Sequence, residues 1–164
     1  GALEANEQVT YAAALLNKND PESLEYLAGV IAVLPKLHEE NSSTARKKAD
    51  YFLMSSAQIS DCYTLYALAL IKFKGDIQGA MQNFKIAEWY LLDDQKEYLN
   101  YYIAATLYLN QQYDEALGLY QQQKQKTIKR GGNAYIYTPA IIGQYCHSRE
   151  NIEPCQRFVK ETEF

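Results

Sequence analysis

Apolar residues recur at three- and four-residue spacing along most of the chain, and no segment sustains the alternation of a half-buried strand. The pattern predicts an all-α protein of about nine helices. Leu3 to Asn17 places Val9, Ala12, Ala13 and Leu16 on one face, and Asn19-Asp20-Pro21 stops that helix and starts another over Glu22 to Leu34. Pro35 sits close to its end. The polar run His38 to Thr44 reads as a turn, with Ser43 or Thr44 as cap for a helix over Ala45 to about Ala57. Cys62 to Lys74 and Ile77 to Leu92 form a hairpin through Gly75-Asp76, where Gly ends one helix and Asp caps the next. Glu97 to Leu109 and Asp114 to about Lys129 form another, closed by Gly131-Gly132. Tyr135 to His147 and Pro154 to Glu163 read as a last hairpin, with Pro139 kinking its first helix or delaying its start.

The two central hairpins share one period. Ala80 and Ala116 are 36 residues apart, and Tyr66 and Tyr102, Ala69 and Ala105, and Phe84 and Tyr120 keep that offset. A common spacing across a whole hairpin points to stacked units that bury their apolar faces against neighbours.

The segment Asn100-Tyr101-Tyr102-Ile103-Ala104, leading through Leu107-Tyr108 to Tyr113-Asp114-Glu115-Ala116 and Tyr120, closely resembles a tetratricopeptide repeat. Residues 62–92 fit too, with Ala67-Leu68, Ile71, Ile77, Ala80, Phe84 and Ala87 in matching places, and their Ala87-Glu88-Trp89-Tyr90 also resembles the related Sel1-like repeats. The resemblance implies a right-handed α-solenoid in a single domain over 1–164. Residues 3–20 would be a capping helix, with repeats at roughly 22–57, 62–92, 97–130 and 135–163. About nine extra residues sit in the first repeat's turn. The resemblance also implies that the first helix of each pair lines a concave surface. The exposed positions there would be Leu65, Ala69 and Lys72 in one repeat, Tyr98, Tyr101, Ala105 and Tyr108 in the next, and Tyr137, Ala140 and Gln144 in the last. Tyrosines on such a groove would give a partner large, rigid contacts. The competing reading is that tyrosines at helical spacing simply pack helices together. The insert at 35–44 is a second candidate docking place. Aligned on the same repeat, Cys146 and Cys155 face each other across the last hairpin, which implies a disulfide and an oxidising compartment; the alternative is two buried reduced thiols.

Composition narrows the function classes. The 164 residues are 48% hydrophobic, enough for one domain with a continuous core, and a net charge of −4 argues against a nucleic-acid partner. Lys124, Lys126, Lys129 and Arg130 are the exception, at an expected helix end where cations complement the dipole. No 18-residue apolar stretch predicts a membrane span. Gly1-Ala2 reads as a cloning remnant ahead of a trimmed or mature start. Fifteen tyrosines against one tryptophan suit packed helices with wet edges, and also binding surfaces.

The residues give no basis for a catalytic or metal site. His38 and His147 are the only histidines, and neither an HExxH nor a paired CxxC spacing occurs. Neighbours on a helix point apart, so Cys146-His147 makes a poor nucleophile and base. Gly131-Gly132 reads as a helix stop, and Asp93-Asp94 and Glu39-Glu40 as solvated carboxylates. The expectation is a non-catalytic protein-interaction module, without cofactor, that binds a peptide or protein as an adaptor, scaffold or assembly factor. It would be bacterial and periplasmic or secreted, with the cytoplasm as the alternative. An immunity-type inhibitor of a toxin enzyme is the more specific alternative, and a small-ligand receptor or enzyme the less favoured one. An unmatched end face would also allow a homodimer.

Overall fold

Left-handed residues and short polar side chains set the helix boundaries in the computed structural model, which describes residues 2–40, 54–134 and 149–162. Seven α-helices and no strand occur among the described residues, which fall in two compact units, Gly1–Leu92 and Asp93–Phe164.

The first unit holds α1 (Ala2–Asn17), α2 (Glu22–Val33), α3 (Ser56–Ala69) and α4 (Ile77–Trp89). Asn19 turns left-handed at φ 61°, the Asp20 N–H returns to the Leu15 carbonyl at 2.9 Å, and the Asp20 carboxylate accepts the Glu22 N–H at 3.0 Å. One helix therefore stops and the next starts within five residues. Leu34 is extended, as a residue before proline must be, and a single 3₁₀ turn, Leu37–Glu40, follows. Sequential neighbours pack pairwise, α1 on α2, α2 on α3 and α3 on α4. Their shared core includes Ala12, Leu16, Leu27, Val30, Ile59, Tyr63, Ala67, Ile71, Ala80, Phe84 and Tyr90. Past Ala69 the chain winds as a π-helix over Leu70–Lys74 before Gly75 ends it at φ 61°.

The second unit holds α5 (Glu97–Leu109), α6 (Tyr113–Lys129) and α7 (Arg149–Thr162), after a 3₁₀ turn at Asp93–Gln95. The α5–α6 connection turns at Gln111, φ 64°, and α6 ends at Gly131, φ 83°. Both α6 and α7 pack on α5. The core is Leu99, Tyr101, Ile103, Ala104, Leu107, Tyr108, Ala116 and Tyr120, closed by Cys155 and Phe158 from α7.

Three expected boundaries are corrected. The helix expected over Ala45 to Ala57 does not run through to Ala57, because Ser55 begins α3 instead. Its hydroxyl accepts the Gln58 N–H at 3.2 Å while the Gln58 side chain accepts the Ser55 N–H at 2.7 Å, a reciprocal cap that starts the helix six residues before the expected Cys62. The last helix begins at Arg149 and carries Pro154 inside it, rather than starting there. Seven helices replace the expected nine among the described residues. Most of the helix expected at 45–57 and all of the one at 135–147 lie outside them.

Candidate functional site

The expected groove residues divide sharply by exposure. In the first unit Leu65 is half-buried, Ala69 is fully buried, and Lys72 is 6% exposed. The Lys72 ammonium donates to the Leu16 carbonyl at 3.2 Å, where a cation complements the C-terminal dipole of α1, and desolvation holds its pKa below the ordinary lysine value. Its expected exposure is therefore corrected: this side chain ties the π-helical turn after α3 to the end of α1.

The second unit repeats the lesson with tyrosines. Tyr98 is 57% exposed, whereas Tyr101, Ala105 and Tyr108 are buried. Tyr101 sits edge-on to Tyr120, ring centroids 5.4 Å apart, and its hydroxyl is 2.8 Å from Thr127 Oγ1. Thr127 donates onward to Glu97 at 2.9 Å, and Glu97 accepts from the Arg130 guanidinium with both carboxylate oxygens. Asn100 and Gln123 extend this seam between α5 and α6 through a 2.8 Å amide pair. Tyr108 packs on Tyr113 and Phe158 and donates to Glu161 at 2.7 Å, so it fastens α7 to α5. Burial and that hydrogen bond push the Tyr108 hydroxyl up to about 12. The exposure expected of Ala69, Tyr101, Ala105 and Tyr108 is corrected: all four are buried, and the two tyrosines each face a second helix across a packed interface. Tyr137, Ala140, Gln144 and Cys146 lie outside the described residues, so the expected Cys146 to Cys155 pairing does too; Cys155 itself is buried.

A cluster that no spacing in the chain foretells forms around His38. Three elements of the first unit meet there. Tyr63 from α3 and Tyr90 at the end of α4 lie nearly parallel, centroids 6.2 Å apart, with Trp89 edge-on to Tyr90 at 4.9 Å. The His38 ring stands edge-on to all three, at 5.8 Å from Tyr63, 5.8 Å from Tyr90 and 6.5 Å from Trp89. Tyr90 Oη accepts the His38 N–H at 3.3 Å and lies 3.0 Å from His38 Nδ1. Lys36 donates to the Ile31 carbonyl at 2.7 Å, with its ammonium 5.9 Å from the Tyr63 ring centre. Beneath them Cys62 is a fully buried free thiol, pushed up to about 12 by burial, which makes it an inert core residue. Desolvation also holds His38 below the usual histidine value, outweighing the raising effect of Glu39.

Among the described residues no helix is long and apolar enough to cross a membrane, and no three His, Cys, Asp or Glu side chains converge as metal ligands. Neither a protein-family model nor a curated protein nor a solved structure matches this chain.

Proposed function

We propose that the chain is a non-catalytic protein-interaction module, a short tetratricopeptide or Sel1-like α-solenoid acting as an adaptor, scaffold or assembly factor. The observation that carries this reading is Tyr98, which stands 57% exposed at a position the repeat resemblance assigns to the partner-facing surface. Its neighbours Tyr101 and Tyr108 are committed to holding α6 and α7, so the polar chemistry of this unit is spent on helix-to-helix bonds. In the first unit the half-buried Leu65 remains available, and Tyr11, Tyr26 and Val33 also present large apolar surface to water. An exposed, rigid aromatic on a helix suits recognition of a peptide or protein.

A photo-crosslinking residue at Tyr98, introduced in cells that make the protein naturally, tests this. The expected result is one dominant protein adduct, absent when the crosslinker replaces the buried Tyr101 and weakened at least tenfold in untethered binding by Tyr98→Ala. Only scattered adducts, or a Tyr98→Ala variant with unchanged binding, would remove Tyr98 from the interface. Recovery of a folded enzyme whose activity stops in the complex would favour the immunity-type reading.

Export is a separate part of the proposal, resting on the Cys146 to Cys155 bridge. Alkylation of denatured protein purified under oxidising conditions should count one free thiol without reductant and three with it. Three in both cases would move the search for partners to the cytoplasm.

A further inference from the structure

The 3₁₀ turn at Leu37–Glu40 seats two side chains on the first unit, the buried Leu37 and the titratable imidazole of His38. Tyr90 Oη accepts the His38 N–H at 3.3 Å and lies 3.0 Å from Nδ1, so one hydroxyl meets both the backbone and the ring of His38. Nε2 lies 4.0 Å from the Glu39 carboxylate. A second ring proton would put a full positive charge on a side chain that is 14% exposed and packed on three aromatic rings, where burial disfavours the charged form. We propose that His38 makes this turn an acid-released latch, docked on Tyr63, Trp89 and Tyr90 when the imidazole is neutral and detached when it is protonated.

The groups facing the ring favour the neutral form. Tyr63 reaches it from α3 and Tyr90 from α4, and burial holds the Tyr63 hydroxyl above its ordinary value, so it stays uncharged. Cys62, the buried thiol next to Tyr63, is likewise neutral below pH 8. Lys36, two residues away, opposes a second positive charge, and Glu39 on the same turn supports it, though less than burial opposes it. The docked ring therefore titrates below the ordinary value of 6.5 and the released ring near it. Docking is fully favoured above about pH 6.5 and weakens as pH falls, by up to about tenfold per pH unit, until the docked ring itself titrates.

Trp89 is the only tryptophan in the chain and lies against His38, so its fluorescence reports on the latch. The experiment follows Trp89 emission and the exchange of the His38 and Glu39 amides from pH 7.5 to 5, with ¹⁵N shifts of the His38 ring. The latch predicts a ring pKa below 6.5 and a reversible change in emission and amide protection with the same midpoint. His38→Gln should abolish the pH dependence, and Tyr90→Phe, which removes the acceptor of the His38 N–H, should weaken protection at pH 7.5. Either a ring pKa of 6.5 or above or protection unchanged down to pH 5 would overturn the proposal on the wild-type protein alone. So would an unchanged transition in His38→Gln. None of these outcomes bears on Tyr98 as a partner contact.

Discussion

The α3–α4 and α5–α6 hairpins carry the same frame 36 residues apart but finish it with different chemistry. Ala80 and Ala116 are both fully buried near the start of the second helix, Phe84 and Tyr120 are fully buried one turn on, and the left-handed residue of each turn is Gly75 in one and Gln111 in the other. The open ends diverge. In α3–α4 that end is apolar and aromatic, built on Ile59, Cys62, Tyr63, Ala87 and Tyr90, with Ser60 Oγ donating to the Ala87 carbonyl at 2.8 Å as a buried cross-link. In α5–α6 the matching end is a polar seam of Glu97, Asn100, Tyr101, Gln123, Thr127 and Arg130. A repeat therefore transmits which positions are buried, not what is buried there. An aromatic open end can receive a docking side chain such as His38, whereas the polar end is satisfied by its own two helices.

The shared frame should break with the largest effect. Phe84→Ala and Tyr120→Ala each empty a fully buried aromatic site and are expected to cost about 3–5 kcal/mol, read as midpoint shifts in urea unfolding with unchanged slope. A much smaller loss for Tyr120 would mean that the two positions match in sequence spacing but not in packing. The open ends should separate next. Thr127→Val keeps the shape but removes the hydroxyl that joins Tyr101, Gln123 and Glu97, and is expected to cost about 1–3 kcal/mol, because buried polar groups that lose a partner keep their desolvation penalty. Ser60→Ala removes one donor from a carbonyl already within a helix and should cost about 0.5–1.5 kcal/mol. Equal losses at the two sites would erase the proposed contrast between a polar and an apolar end.

The frame was legible because spacing encodes it. Alanines and aromatics at a fixed offset announce a close helix crossing, and Gly75-Asp76 announces a stop and a cap. The Ser55 cap was legible as well, since Ser55 and Gln58 stand three apart, but the helix expected over Ala45 to Ala57 ran across it. Exposure was not legible, and α5 shows why. Leu99, Tyr101, Ile103, Ala104, Ala105, Leu107 and Tyr108 are all buried, so this helix packs on more than one face. Periodicity identifies apolar faces without saying how many of them a neighbour covers. Lys72 misled for a related reason: a long amphipathic side chain signals solvent in a sequence, yet here it is buried with its ammonium on the Leu16 carbonyl. The nest around His38 left no local signal, because Tyr63 and Tyr90 come from 25 and 52 residues away.

The turns offer a finer test, since Gln111 holds at φ 64° the conformation that Gly75 holds at 61°. A side chain in that region costs roughly 1 kcal/mol that glycine avoids. Gln111→Gly should therefore stabilise the protein by up to about 1 kcal/mol, and Gly75→Ala should destabilise it by a similar amount. Opposite signs from the same backbone position, measured by thermal unfolding, would establish the turns as equivalent. Two losses would show that the Gln111 side chain itself contributes to its turn.

The smallest expected effect concerns how each second helix begins. Asp76 caps α4 by accepting the Gly79 N–H at 2.9 Å, and a Cβ on Gly79 would come within 2.2 Å of Asp76 Oδ2. Alanine at position 79 therefore gains helix propensity, up to about 1 kcal/mol, and displaces a cap of about the same worth. Gly79→Ala alone should lie within about 0.5 kcal/mol of wild type because the two terms oppose each other. In an Asp76→Ala background the obstruction is gone, and the same change should stabilise by about 0.5–1 kcal/mol, so a double-mutant cycle isolates the clash. The other hairpin supplies the control. Gln112 stands in the place of Asp76 without a side-chain cap, and its amide instead donates to Glu115, the counterpart of Gly79, at 2.9 Å. Glu115→Ala should then couple to Gln112→Ala only through that exposed hydrogen bond, by a few tenths of a kcal/mol. Coupling of about 1 kcal/mol in α4 but not in α6 would show that glycine is required at position 79 by the cap above it, and not by the repeat.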